Sequence, residues 1–128
     1  MDEVHVTKQV ATPPDELWER IGDFHGLHKW AQGVQPTEAI DDGRARKFDI
    51  GGTALIEELV EEGERSYTYQ INEPGPLPVE NYRATLKVSP DAGGSLINWD
   101  ATFDPRGVSE DQAVAIMTGV FESGLSGL

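Results

Sequence analysis

SEDQAVAIMTGVFESGLSGL, residues Ser109 to Leu128, closes the chain and carries its one long helical pattern. Placed at about 100° per residue, Ile116, Val120, Ala113, Gly124, Met117, Leu128, Phe121, Val114 and Leu125 fill one arc of roughly 180°, and polar residues fill the other. An arc that wide predicts a helix held inside the molecule rather than resting on its surface. One flank, Ala113 and Gly124, is small, which predicts space between the helix and whatever it packs on.

What precedes this helix is mostly strand. Val4 to Val10 alternates, with Val4, Val6 and Val10 on one side and His5 and Thr7 on the other, as in an edge or pairing strand. Thr12-Pro13-Pro14-Asp15 announces a helix, Thr12 as cap and Pro13 in the first position, with Leu17, Trp18 and Ile21 as its apolar stripe and Gly22 as its stop. A second short helix is expected from about Phe24 to Trp30, interrupted or ended by Gly26 and Gly33. Six strands are then expected over 34–41, 44–50, 53–61, 65–72, 79–88 and 95–103, separated by turns such as Asp42-Gly43, Gly51-Gly52 and Glu62-Gly63. Successive strands with short turns pair antiparallel, and a seven-stranded sheet with one apolar face needs a cover. The final helix is the element long enough to supply it. The predicted fold is therefore α+β, a helix grip in which a curved seven-stranded antiparallel sheet wraps the C-terminal helix, with two short helices between the first two strands.

The 128 residues suit one domain, 1–128, without internal repeat or linker. The net charge of −13, from 23 acidic and 10 basic residues, repels a phosphate backbone or an anionic membrane and argues against nucleic-acid binding. No apolar stretch approaches the roughly 20 residues of a bilayer span, so no stable membrane insertion is expected. The acidic start Met1-Asp2-Glu3 lacks the features of a secretion signal, and the absence of cysteine fits a reducing cytoplasm. The acidic run Glu57, Glu58, Glu61, Glu62 and Glu64 reads as the solvated face and turn of a hairpin.

The whole chain resembles the START-like (SRPBCC, Bet v 1-like) superfamily, and within it the polyketide cyclase/dehydrase and MxaD-like branch. The resemblance is carried by Pro13-x-x-x-Leu17-Trp18, by Phe24 to Trp30, by Gly75-Pro76-Leu77-Pro78-Val79-Glu80-Asn81-Tyr82-Arg83, and by Trp99-Asp100-Ala101-Thr102-Phe103-Asp104-Pro105 leading into the last helix. It implies a ligand cavity between sheet and helix. Plant abscisic-acid receptors are more distantly similar and share Asn81-Tyr82-Arg83. Position by position, that likeness implies Tyr82, Ala84, Asn98, Ile116, Val120 and Gly124 as pocket residues. Their carboxylate-binding lysine is replaced by Ala31, their gate by Ile50-Gly51-Gly52-Thr53 and their latch by Leu77-Pro78-Val79, so hormone reception is not implied. The two loops Ile50–Thr53 and Pro74–Val79 are still expected to cover the cavity mouth.

The residues themselves leave alternatives open. Alternation sends Tyr82, Ala84, Leu86 and Val88 inward, where the Tyr82 hydroxyl either bonds within the core or meets a polar ligand group. On its own strand, alternation exposes Asn98, whereas the receptor likeness puts it inside. Arg46 shares a strand face with Phe48 and Ile50. It either snorkels at the sheet edge or, buried, orients an acidic ligand or stabilises an enolate. Tyr67 and Tyr69 lie on one face, as cavity wall or packed core, and Trp30 and Phe48 carry the same two readings. Asp23, His25 and His28 lack a further ligand for zinc, so no metal is expected. Gly51-Gly52 is too short to cradle phosphate, no nucleophile elbow exists, and no cofactor is expected.

The expected site comprises Trp30, Arg46, Phe48, Ile50, Tyr69, Leu77, Tyr82, Ala84, Asn98, Ile116, Val120 and Gly124. The expected function is binding of a hydrophobic or amphipathic small molecule by a monomer or weak homodimer. The alternatives are a polyketide cyclase or dehydratase using the same cavity, and an accessory interaction module whose cavity is closed.

Overall fold

The computed structural model describes residues 2–32, 34–50 and 52–128, the side chain of Ile50 excepted. The elements are β1 (Asp2–Val10), α1 (Pro14–Ile21), a 3-10 segment (Phe24–Lys29), β2 (Glu38–Ile40), β3 (Ala45–Ile50), β4 (Thr53–Gly63), β5 (Ser66–Glu73), β6 (Val79–Asp91), β7 (Gly94–Pro105) and α2 (Glu110–Leu125). The strands form one seven-stranded antiparallel sheet in the order β1-β7-β6-β5-β4-β3-β2. Hairpins join β2 through β7, and β1 pairs beside β7, so both ends of the chain meet at one side of the sheet. There α2 packs on β1 and β7. This is the expected helix-grip fold.

Local chemistry explains the boundaries. Ser109 caps α2 with a full capping box: its hydroxyl accepts from the Gln112 N–H, and the Gln112 side chain accepts from the Ser109 N–H. The last turn of α2 contains no basic residue, and Lys8 of β1 supplies the cation, donating to the Leu125 carbonyl at 3.0 Å. The cap expected from Thr12 is not made. Pro13 is the N-cap and Pro14 opens α1, while the Thr12 carbonyl accepts a bond from Ser95 at 2.6 Å. Gly22 ends α1 as expected. The second short helix is a 3-10 segment kinked at Gly26; Gly33 lies outside the described residues. The strand expected over 34–41 shrinks to Glu38–Ile40, since Pro36 has no N–H to offer a ladder.

The inner face of the sheet follows period two almost throughout. On β7, Ile97, Trp99, Ala101 and Phe103 are buried and the residues between them are half-buried. On β6 the pattern breaks once. Val79 and Tyr82 are both buried although three residues apart, because the register shifts between Glu80 and Arg83. Asn81 sits in that bulge at φ 52°, and its amide donates to Asp104 at 2.9 Å. The bulge turns Tyr82 into the interior and keeps Ala84, Leu86 and Val88 in phase behind it.

The helix departs from expectation in one respect. Ala113, Met117, Phe121, Gly124 and Leu125 are buried, but Ile116 and Val120 are 44% and 42% exposed. The apolar arc is thus wider than the surface the sheet covers. The small flank differs at its two ends: Ala113 is fully buried, and Gly124 borders the space but would press an added Cβ to 3.1 Å from Trp99. The widest clearance is at Gly119, where an added Cβ would meet nothing within 4 Å.

Candidate ligand cavity

A cavity of about 560 Å³ opens between the sheet, the residues Leu27, Ala31, Gln32, Val34 and Gln35, and α2. Phe48, Leu55, Glu57, Tyr69, Tyr82 and Trp99 form its sheet wall; Ile116, Gly119, Val120, Ser123 and Gly124 form its helix wall. Leu77, from the proline-rich loop after β5, and Asp49, at the end of β3, lie at the border. The volume falls within the usual range for small-molecule sites, and the mix of apolar wall with few polar groups is typical of them. Among the described residues, no helix is long and apolar enough to cross a membrane.

The sheet wall is held by aromatic packing. Trp99 stacks on Phe121 with ring centroids 4.3 Å apart and nearly parallel planes, and it faces Trp30 at 5.6 Å. The Trp99 indole N–H donates to the Tyr69 hydroxyl at 3.1 Å. The rings of Tyr69 and Tyr82 lie 6.1 Å apart, centre to centre.

Beneath this wall lies a buried ion pair. Arg46 and Glu57 are direct cross-strand partners on β3 and β4. Arg46 is wholly buried. Its Nε donates to Glu57 Oε1 at 2.7 Å, its Nη2 stands 2.7 Å from the same oxygen, and its Nη1 donates to the Phe24 carbonyl at 2.7 Å. The guanidinium carbon lies 4.1 Å from the Phe24 ring centre and 4.9 Å from that of Tyr69. Burial alone would lower its pKa, but Glu57 holds it above the ordinary arginine value. Burial likewise pushes the Glu57 carboxyl above its ordinary range, with Arg46 pulling the other way. Burial raises Tyr67, Tyr69 and Tyr82 as well.

Seven of the expected site residues line this cavity: Phe48, Tyr69, Leu77, Tyr82, Ile116, Val120 and Gly124. Four do not. Trp30 and Ala84 are core, the former behind Trp99 and the latter between Tyr69 and Ala101. Asn98 sits on the outer face of β7, opposite Lys87 and Thr7 in unbroken register, so alternation gives its true orientation and the receptor likeness does not. Arg46 does not snorkel: it is wholly buried beside Glu57 and is not among the residues that line the cavity. Of the expected Ile50–Thr53 gate, the side chain of Ile50 and all of Gly51 lie outside the described residues, and Thr53 opens β4. Asp23 and His25, weighed above as zinc ligands, are engaged in hydrogen bonds to the chain itself. Asp23 accepts from the His25 N–H at 3.0 Å, and His25 Nε2 lies 2.7 Å from the Gly43 carbonyl.

Glu57 is the site residue that the sequence pattern hid. It heads an acidic run and reads as solvated, yet it is 6% exposed. The signal was there in its phase: Leu55, Glu57 and Leu59 share one face of β4, and pairing β3 with β4 through a short turn sets Glu57 against Arg46.

The comparisons with known proteins agree with this geometry. The family model for polyketide cyclase/dehydrase and lipid transport matches residues 1–128. The chain belongs to that family. Its fold is similar to that of XoxI from Bacillus cereus, at 30% identity and a TM-score of 0.93, covering 99% of this chain and 92% of that one. A protein from Thermobifida fusca is similar at 30% identity and a TM-score of 0.87, covering 100% and 91%. The Zhui aromatase/cyclase from Streptomyces shares the fold at 18% identity and a TM-score of 0.66, covering 98% and 84%. No curated protein matches.

Proposed function

We propose that this family member binds a hydrophobic or amphipathic small molecule in the cavity between the curved sheet and α2. The observation that carries the reading is the pair Ile116 and Val120, two aliphatic side chains left more than two-fifths exposed on the wall of a cavity of about 560 Å³. Apolar surface kept open beside a concave wall gains free energy when a ligand covers it, at about 25 cal/mol per Å² removed from water. Tyr82, Tyr69 and Glu57 supply orientation. A cavity of this size speaks against the closed interaction module.

The test is Val120→Trp, which fills the helix wall without touching the packed side of α2. An environment-sensitive dye should bind the parent protein and lose at least tenfold in affinity for the variant, with the circular dichroism spectrum unchanged. Dye binding that survives the substitution would remove the cavity from this place.

A second reading, cyclisation or dehydration of a polyketide-like chain, is favoured by one observation. Glu57 is a carboxyl in a dry wall with its pKa raised, the proton-transferring group that the sequence pattern lacked. In this reading Glu57 takes a proton from a carbon flanked by carbonyls, and a tyrosine hydroxyl bonds the enolate oxygen. Incubation with a linear poly-β-ketone should then change the product distribution. Finding only the spontaneous products would dismiss this reading for that substrate.

A further inference from the structure

We infer that the occupant of this cavity meets Glu57 with a neutral hydrogen-bond donor, a hydroxyl or phenol on an apolar body, and that the cavity selects against carboxylates. The inference rests on the binding reading above and names the class of ligand for that same site.

Charge placement carries it. Arg46 is wholly buried and turned to the protein: its Nε donates to Glu57 Oε1, its Nη1 donates to the Phe24 carbonyl, and the rings of Phe24 and Tyr69 pack against it. It is not among the residues that line the space; Glu57 is. Both Arg46 contacts fall on Oε1, which leaves Oε2 as the carboxylate oxygen without a bond from the guanidinium. The charged residues of the described lining are Glu57 and Asp49, and no lysine, arginine or histidine joins them. A ligand carboxylate would therefore be desolvated beside Glu57, with Asp49 exposed at the border and no cation in the described lining to receive it, in a chain of net charge −13. A ligand hydroxyl gives Glu57 the donor it lacks at no charge cost. An ammonium fits less well, because Arg46 already balances Glu57 and a second buried cation would be unmatched.

The probes share one fluorescent body, so that apolar burial cancels: pyrenemethanol, pyrenecarboxylate and pyrenemethylamine, titrated at pH 7.5. The parent protein should bind the alcohol at least tenfold more tightly than either ion. Glu57→Gln leaves the Arg46 charge unbalanced and turns an amide toward the space, so the order should invert in favour of the carboxylate. Should that variant fail to fold, the parent protein still decides: lowering the pH until pyrenecarboxylate is protonated should raise its affinity toward that of the alcohol. Equal binding of alcohol and carboxylate at neutral pH, while the dye still binds, overturns this inference and leaves the cavity reading standing. Failure of all three probes and the dye overturns both.

Discussion

The two flanks of α2 are equally apolar in sequence and opposite in fate. Ala113, Met117, Phe121 and Leu125 are at most 2% exposed, pressed onto β1 and β7, whereas Ile116 and Val120 stand at 44% and 42% beside open space. A helical apolar arc measures how much of a helix avoids water. It does not say whether protein or a ligand does the covering. The packed flank holds the fold together, and the open flank is available for function.

The largest effect should come from the packed flank. Phe121→Ala removes the ring stacked on Trp99 and leaves a hole against the sheet, so unfolding in urea should show a loss of about 3–5 kcal/mol. Val120→Ser and Ile116→Ser should each cost no more than about 0.5 kcal/mol, the scale of surface changes, while weakening dye binding. If Val120→Ser costs as much as Phe121→Ala, the two flanks are one core and the comparison breaks.

The cavity wall can be sharpened by alkali. The chain has three tyrosines, Tyr67, Tyr69 and Tyr82, all buried and all with pKa values raised, chiefly by burial. A group whose folded pKa lies above its unfolded value contributes stability that is complete below the unfolded pKa, about 10 for tyrosine, and is lost as pH rises toward the folded value. Stability should therefore fall as pH climbs above about 10. Tyrosinate absorbance should stay flat through that range while the protein is folded, then rise for all three tyrosines together on unfolding. A tyrosine that titrates near its ordinary value in the folded state would mark a hydroxyl that bulk water reaches through the cavity mouth.

Much of the fold was legible because two periods, 2 and 3.6, dominate it. The strands, their antiparallel order, the Gly22 stop and the long last helix all follow from alternation, turn residues and arc width. The wide arc with its small flank and the family resemblance both pointed to a cavity. What stayed hidden was hidden by competition between local signals. Glu57 was masked by its acidic neighbours Glu58, Glu61 and Glu62, whose exposure says nothing of a residue in phase with Leu55. Arg46 could not be placed without its cross-strand partner, since only Glu57 lets an arginine be wholly buried there. Asn98 was misplaced by likeness to a distant relative, against an alternation that proved sound. Of the small flank, Ala113 is packed core, while Gly124 lines the cavity and also marks a close approach of helix to indole.

That close approach gives the finest test of the two flanks. Glycine inside a helix costs up to about 1 kcal/mol relative to alanine, so each Gly→Ala change on α2 starts with that gain. At Gly119 the new methyl meets nothing within 4 Å, and the gain should appear in full as a rise in unfolding free energy of about 0.5–1 kcal/mol. At Gly124 the methyl would stand 3.1 Å and 3.5 Å from two carbons of the Trp99 ring. Trp99 cannot yield easily, being stacked on Phe121 at 4.3 Å with Trp30 at 5.6 Å and its N–H bonded to Tyr69. Gly124→Ala should therefore be neutral to destabilising despite the better helix former. Were it to stabilise as much as Gly119→Ala, the indole would have room to retreat, and the wall behind Tyr69 and Tyr82 would be soft enough to reshape around a ligand.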